Sequence, residues 1–250
     1  MPSTYKTRGI ILRSISYGET SIIVTIYTRV FGIQSYIVNG VRSVKKGSSK
    51  AALYQPASIL DLEVYHNELK ALNRIKEASW TYVYQENFTA VIKNCICLFM
   101  VELLHKVLKQ PEPNEDLFDF TEDALVQLDK AEPAVAANFP LYFSLHLTDF
   151  LGLKISDVPR EINPGDTFYL DLAEGKFVTT TPHHNFFLQD DEALNTSILL
   201  KTMQPSELKY ITLNQQKRRA LIDRYMQFYS IHIPDFAGIK TLKVLYELHS

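Results

Sequence analysis

Cysteine is nearly missing from this chain: 250 residues hold two, Cys95 and Cys97. Two cannot build the disulfide framework of a small secreted domain, and a chain this long buries a core without staples. Long apolar runs are missing too, since no stretch approaches the roughly 20 residues of a membrane-spanning helix. The opening MPSTYKTRGIILRS has no apolar signal core followed by a small-residue cleavage site. The expectation is a cytoplasmic protein with no membrane partner. Acids are missing from one region. Of 28 Asp and Glu, only Glu19 lies in the first 50 residues, where Lys6, Arg8, Arg13, Arg29, Arg42, Lys45, Lys46 and Lys50 are the cations. The whole chain has a formal net charge of -2, so the rest is acidic. Such a split points to a basic module that meets an anionic partner.

The motifs of catalysis are absent as well. A Walker A loop needs Gly, four residues, then Gly-Lys-Ser/Thr. In NGVRSVKKGSSKAAL, Gly40 is too far from Gly47, and Gly47 is followed by Ser48. There is no Gly-x-Gly-x-x-Gly and no Gly-x-Ser-x-Gly elbow. Cys95 and Cys97 stand two apart on an expected helix and point in different directions, whereas zinc ligands on one helix are three or four apart. They read as small buried hydrophobes. His183-His184 has no cysteine near it. The pairs Glu115-Asp116, Glu122-Asp123 and Asp190-Asp191 read as solvated helix ends, where the helix dipole favours acids. The expectation is no enzyme, no cofactor and no metal.

What is present begins with strands. Gly9–Leu12, Ser21–Thr28, Ile33–Val38, Ile59–Tyr65 and Leu69–Ala78 alternate apolar and polar residues between turn signals. Five short strands in about eighty residues suit a small closed barrel, OB-like or SH3-like, because closure removes exposed edges. After Trp80 the period becomes helical. Helices are expected over Thr81–Lys109, after a cap at Asn114, from Pro133 through Leu151 with a kink or restart at Pro140, from about Glu192, over Gln215–Ile231, and after Asp235. Residues 153–189 interrupt them with two short strands, Phe168–Leu172 and Lys176–Thr179, joined at Glu174-Gly175. The division is an N-terminal barrel at 1–80 and a mostly helical domain at 81–250 with a β excursion at 153–189, an α+β chain.

Cations on a small barrel supply phosphate contacts, and tyrosines offer faces on which bases stack. The candidate nucleic-acid-binding residues are Lys6, Arg8, Arg13, Tyr17, Arg29, Tyr36, Arg42, Lys45, Lys46 and Lys50. A second basic cluster, Lys217, Arg218, Arg219 and Arg224, lies on the Gln215–Ile231 helix, with Lys217 and Arg224 on one face. It is a candidate site for an acidic peptide or a second nucleic-acid strand.

The segments GIILRSISYGETSIIVTIYTRVFG, NGVRSVKKGSS and LYQPASILDLEVYH resemble the bacterial RecO family, in its Tyr-Gly-Glu, Thr-Arg-x-x-Gly, Asn-Gly-x-Arg and Leu-x-x-Pro patterns. TDFLGLK and AGIKTLKVL are weaker echoes. The resemblance implies an N-terminal five-stranded OB-fold barrel and a helical domain. It implies binding of single- and double-stranded DNA, annealing of complementary strands and help in recombinase loading, without catalysis. The implied partners are DNA, RecR and the acidic C-terminal tail of single-stranded DNA-binding protein, in a cytoplasmic, nucleoid-associated setting. The family's positions fall on Arg13, Tyr17, Gly18, Arg42, Lys45 and Lys46. The family often carries a four-cysteine zinc site, which would fall near 155–190, where this chain has no cysteine. Zinc is therefore expected to be absent, and the excursion is expected to hold by packing alone. The competing reading is a protein-interaction adaptor whose basic barrel binds an acidic protein.

Overall fold

The computed structural model describes residues 4–41, 48–67, 69–159, 161 and 167–248, and of residues 48–50 and 248 only the backbone. The chain divides into two compact units, Met1–Asp129 and Lys130–Ser250.

The first unit contains a closed barrel in the order β1-β2-β3-β5-β4. Its strands are β1 (Thr4–Tyr17), β2 (Ser21–Thr28), β3 (Gly32–Val38), β4 (Ile59–Tyr65) and β5 (Asn73–Trp80), with a short helix α1 (Ser48–Leu53) before β4. All pairings are antiparallel except β3 with β5. This is the expected five-stranded OB-fold barrel. Its core gathers Ile22, Val24 and Ile26 of β2 with Leu60, Leu62 and Val64 of β4, as the alternation of each strand requires. A bulge in β1 between Ile11 and Arg13 breaks that alternation, so Ile10, Ile11 and Leu12 are all buried. Helix α2 (Val91–Val107) packs against β1, and α3 (Glu115–Lys130) follows.

Two elements differ from expectation. β5 starts at Asn73 rather than Leu69, because side-chain hydrogen bonds of Asn67 and Asn73 close a turn ahead of it. Asn73 Oδ1 accepts from the Asn67 amide at 3.0 Å, and Asn67 Oδ1 from the Leu69 amide at 2.9 Å. Helix α2 starts ten residues later than expected, because the chain ahead of it is gathered elsewhere. The buried Asp129 carboxylate accepts from the amides of Gln85, Glu86 and Asn87 at 2.8–2.9 Å and from the Tyr82 hydroxyl at 3.1 Å. Burial raises its pKa, but these donors outweigh it and the net shift is downward. Lys93 completes the knot, donating to the Asp129 carbonyl at 2.8 Å and pairing with Glu86 at 2.5 Å.

The second unit is helical: α4 (Pro133–Phe150), α5 (Asp190–Lys201), a 3-10 turn at Pro205–Tyr210, α6 (Gln215–His232) and α7 (Thr241–Leu248). Pro140 lies inside an unbroken α4, not at a restart. The β excursion has three strands, β6 (Tyr169–Asp171), β7 (Lys176–Val178) and β8 (Phe187–Leu188), in the order β7-β6-β8. The third was not expected, since two residues carry no readable alternation. Ile155, Leu170, Leu172, Phe177 and Leu188 are buried there. Asp171 closes the β6–β7 turn by accepting from the Ala173 amide at 2.8 Å, and it lies 3.3 Å from His184. No described helix is long and apolar enough to cross a membrane.

Candidate nucleic-acid interface

Strand β1 and the β2–β3 turn bring Arg8 and Arg29 to α3 rather than to open solvent. Arg29 grips Asp119 with two parallel hydrogen bonds, at 2.9 and 3.0 Å, and reaches Glu115 at 2.7 Å. Arg8 pairs with Glu122 and with Asp119 at 3.4 Å, and its guanidinium lies 5.6 Å from the centre of the Phe118 ring. Arg29 holds the Asp119 carboxyl below its ordinary range. Glu122 moves the other way: burial, above all, raises it. Glu122 is thus a partly buried member of a five-charge cluster and not a solvated helix end. Lys6 stands directly across from Glu63 in the β1–β4 register and is exposed.

Tyr36 must be withdrawn as a stacking residue. Its ring is fully buried in the barrel core, and burial raises its hydroxyl pKa. Tyr17 is half exposed at the end of β1, and Arg13 is exposed beyond the bulge. Arg42, Lys45 and Lys46 lie outside the described residues, as does the side chain of Lys50. Two cations that charge counting passed over, Lys70 and Lys109, are also exposed. Lys70 lies within HNELKA between β4 and β5 and Lys109 precedes QPEP, so solvated turns, not a basic run, were the signal.

The α6 cluster divides in the same manner. Lys217 and Arg224 share a face as expected, and that face meets the first turn of α5: Lys217 pairs with Asp191 at 2.6 Å and Arg224 with Glu192 at 3.5 Å. Arg218 donates to the Leu213 carbonyl, and Arg219 donates to the Tyr246 carbonyl and lies 5.3 Å from the centre of that residue's ring. Both arginines line an apolar cleft with Pro140, Leu141, Ile222 and Leu245. Burial lowers the Arg218 pKa. In this cleft Gln215 Nε2 and Arg219 Nε are buried donors that find no acceptor among the described residues. Unsatisfied donors beside apolar walls suit a carboxylate carried on an apolar side chain or chain end. Gln215 and the α7 residues were missed by the sequence reading, which looked only for charge.

Cys95 and Cys97 are buried, and burial raises both thiols. Among the described residues no group of three or more His, Cys, Asp or Glu is placed to hold a metal ion.

Residues 1–84 match the family model described as Recombination protein O N terminal, and residues 88–156 match Recombination protein O C terminal. The DNA repair protein RecO of Phocaeicola vulgatus is 32% identical over 245 residues, which cover 98% of this chain and 99% of the relative. The chain belongs to the RecO family. The RecO protein of Flavobacterium johnsoniae is 33% identical over 247 residues, with 98% and 99% covered. That of Bacteroides fragilis strain YCH46 is 32% identical over 244 residues, with 97% and 98% covered. The Thr-Arg-x-x-Gly pattern that carried the RecO resemblance is Thr28, Arg29 and Gly32. Here it fastens the barrel to α3. Thr28 Oγ1 donates to the Gly32 carbonyl at 2.8 Å and accepts from the Phe31 amide at 3.1 Å, while Arg29 holds Asp119.

Proposed function

We propose that this chain is a DNA-binding recombination mediator: it binds single- and double-stranded DNA, anneals complementary strands and assists recombinase loading in repair. The observation that carries the reading is the concentration of cations on a RecO-type OB barrel in a chain that is acidic overall. Cations on the barrel neutralise phosphates of two strands and lower the repulsion that opposes pairing. Five or six phosphate contacts imply a log–log salt slope of roughly −4 for single strands. An annealing and binding assay at two salt concentrations tests this, and salt-independent affinity overturns it.

The cleft between α4, α6 and α7 supports a partner role. Its unpaired donors Gln215 Nε2 and Arg219 Nε, set in apolar walls, fit the acidic C-terminal tail of single-stranded DNA-binding protein. RecR belongs to the same reading through the family alone. Charge reversal of Arg42, Lys45 and Lys46 separates mediator from adaptor: DNA binding that survives while protein partnering fails favours the adaptor.

A further inference from the structure

We infer that the β excursion of the second unit is braced without a metal, by the Asp171 carboxylate acting in place of a bound zinc ion. Asp171 and Glu174, followed by Gly175, have the spacing of paired zinc ligands on a hairpin turn. The donor set does not fit zinc. Residues 153–189 contain no cysteine, and among the described residues no three His, Cys, Asp or Glu are placed to hold a metal ion. Glu174 turns outward, 3.6 Å from Lys176. Asp171 turns inward and is 6% exposed. A carboxylate this buried is costly unless its oxygens are bonded. Oδ1 accepts from the Ala173 amide at 2.8 Å and from the Glu174 amide at 3.0 Å. Oδ2 faces His184 Nε2 at 3.3 Å. The other ring nitrogen, His184 Nδ1, accepts from the Phe186 amide at 3.2 Å, which puts the ring hydrogen on Nε2, toward Asp171. One carboxylate therefore ties the β6–β7 turn to the loop that leads into β8, the two segments a metal would have to bridge.

Helix α6 grips the same turn from outside. His232 Nε2 donates to the Leu172 carbonyl at 2.8 Å. Phe228 packs on His232, with ring centres 4.3 Å apart, and under Gly175, where an added Cβ would stand 3.6 Å from the ring. Gly175 adopts φ +66°, a conformation open to glycine at no steric cost. Ser156 closes the outer edge of β7: its amide donates to the Gly175 carbonyl at 2.9 Å, and its carbonyl accepts from the Phe177 amide at 3.1 Å. On the other side the Leu172 amide donates to the Phe186 carbonyl at 2.9 Å. Leu170, Leu172, Phe177 and Leu188 give the excursion a small core. Burial is non-directional, however, and strands of two or three residues have too little alternation to fix their register by it. The directional bonds of Asp171 supply what packing lacks. They also reach further. Strand β8 enters α5 after one residue, Gln189. The brace thus sets where α5 starts, and its first turn carries Asp191 and Glu192, the acids that pair with Lys217 and Arg224.

The test is hydrogen exchange of the full chain, read by mass spectrometry on peptides covering the excursion and the start of α5, with zinc content measured on the same sample. The variants are Asp171→Asn, which keeps the shape and removes the charge, His184→Gln, and Glu174→Gln as the control at the exposed position of the same turn. Circular dichroism melting checks that each variant folds. Asp171→Asn is expected to speed exchange in the β6–β7 turn and in β8 by about tenfold or more, and His184→Gln by about threefold to tenfold. Exchange in the first turn of α5 is expected to rise with them. Glu174→Gln is expected to stay within about twofold of the wild type. The wild type is expected to hold far less than stoichiometric zinc and to exchange at the same rate after treatment with a zinc chelator. Stoichiometric zinc whose removal releases the excursion overturns the inference in favour of a metal. Equal exchange in Asp171→Asn and Glu174→Gln overturns it in favour of packing alone. Should Asp171→Asn fail to fold, His184→Gln decides, and exchange no faster there than in Glu174→Gln overturns the brace.

Discussion

Arg8 and Arg13 sit on the same strand, on either side of the bulge in β1, and have opposite surroundings. At Arg8, α3 delivers Asp119 and Glu122 to the barrel. At Arg13, α2 delivers His105, with Lys106 and Lys109 close by. One arginine joins the fold together and the other faces solvent. Formal charge along a sequence therefore says little about which cations are available to a ligand. The element packed beside the strand decides it, and in this chain two successive helices decide it in opposite senses.

Several substitutions sharpen or break this contrast. The largest expected effect is on the segment that joins the two regions. Gly32→Ala combines a left-handed backbone with an overlap on Glu112, so we expect a loss of about 3–5 kcal/mol in denaturant unfolding. Next is Asp129→Asn, which leaves an amide facing three backbone donors. The expected cost is about 2–3 kcal/mol in the same measurement. The wild-type knot also has a pH signature. The folded pKa of Asp129 lies below its unfolded value, so its contribution is present above the unfolded pKa and is lost as pH falls through the folded one.

Binding changes come next. Asp119→Asn/Glu122→Gln releases Arg8 and leaves Arg29 only Glu115, and oligo(dT) affinity is expected to rise about threefold to tenfold, read by titration at low salt. An unchanged affinity would mean that the acidic and basic regions are not in competition for the same strand. Arg13→Ala is expected to weaken binding about threefold to tenfold, with Arg8→Ala changing it less than twofold while lowering the melting temperature. The smallest effect is the pH dependence at His105. Burial lowers its pKa first, then Arg13, Lys106 and Lys109, with Glu102 opposing. Bound phosphate favours the protonated ring, so affinity is expected to increase about twofold to threefold from pH 8 to pH 5.5 and to flatten in His105→Gln. Stability has the other sign. The folded pKa lies below the unfolded value, so protonation below about pH 6.5 favours the unfolded chain.

The barrel was readable because β2 and β4 alternate cleanly, and alternation in a half-buried strand is local information. The cap at Asn114 was readable for the same reason: its Oδ1 accepts from the Leu117 amide at 2.9 Å. The start of α2 was not readable, because the Asp129 carboxylate that reorganises residues 82–87 lies more than forty positions downstream. The same limit governed the site. Arg13 and Tyr17 are exposed as expected, but Tyr36 alternates onto the core face, and Arg8 and Arg29 find acids about a hundred residues away. The residues that line the outer β2–β3 side of the barrel come from β2, β3, the β4–β5 turn and the end of α2. No window of sequence holds them together.

The pairing of Arg8 with Glu122 spans 114 positions, and that separation has a consequence for synthesis. A ribosome completes all five strands before it makes α3. A nascent barrel therefore emerges with Arg8 and Arg29 uncovered, and with Tyr27 lacking both Phe118 and the Asn114 carbonyl it later bonds at 2.8 Å. Until α3 arrives, this intermediate is more cationic and stickier than the finished unit, and RNA is the abundant polyanion around it. The acids of α3, made last, thus neutralise this face of the barrel only as the unit closes.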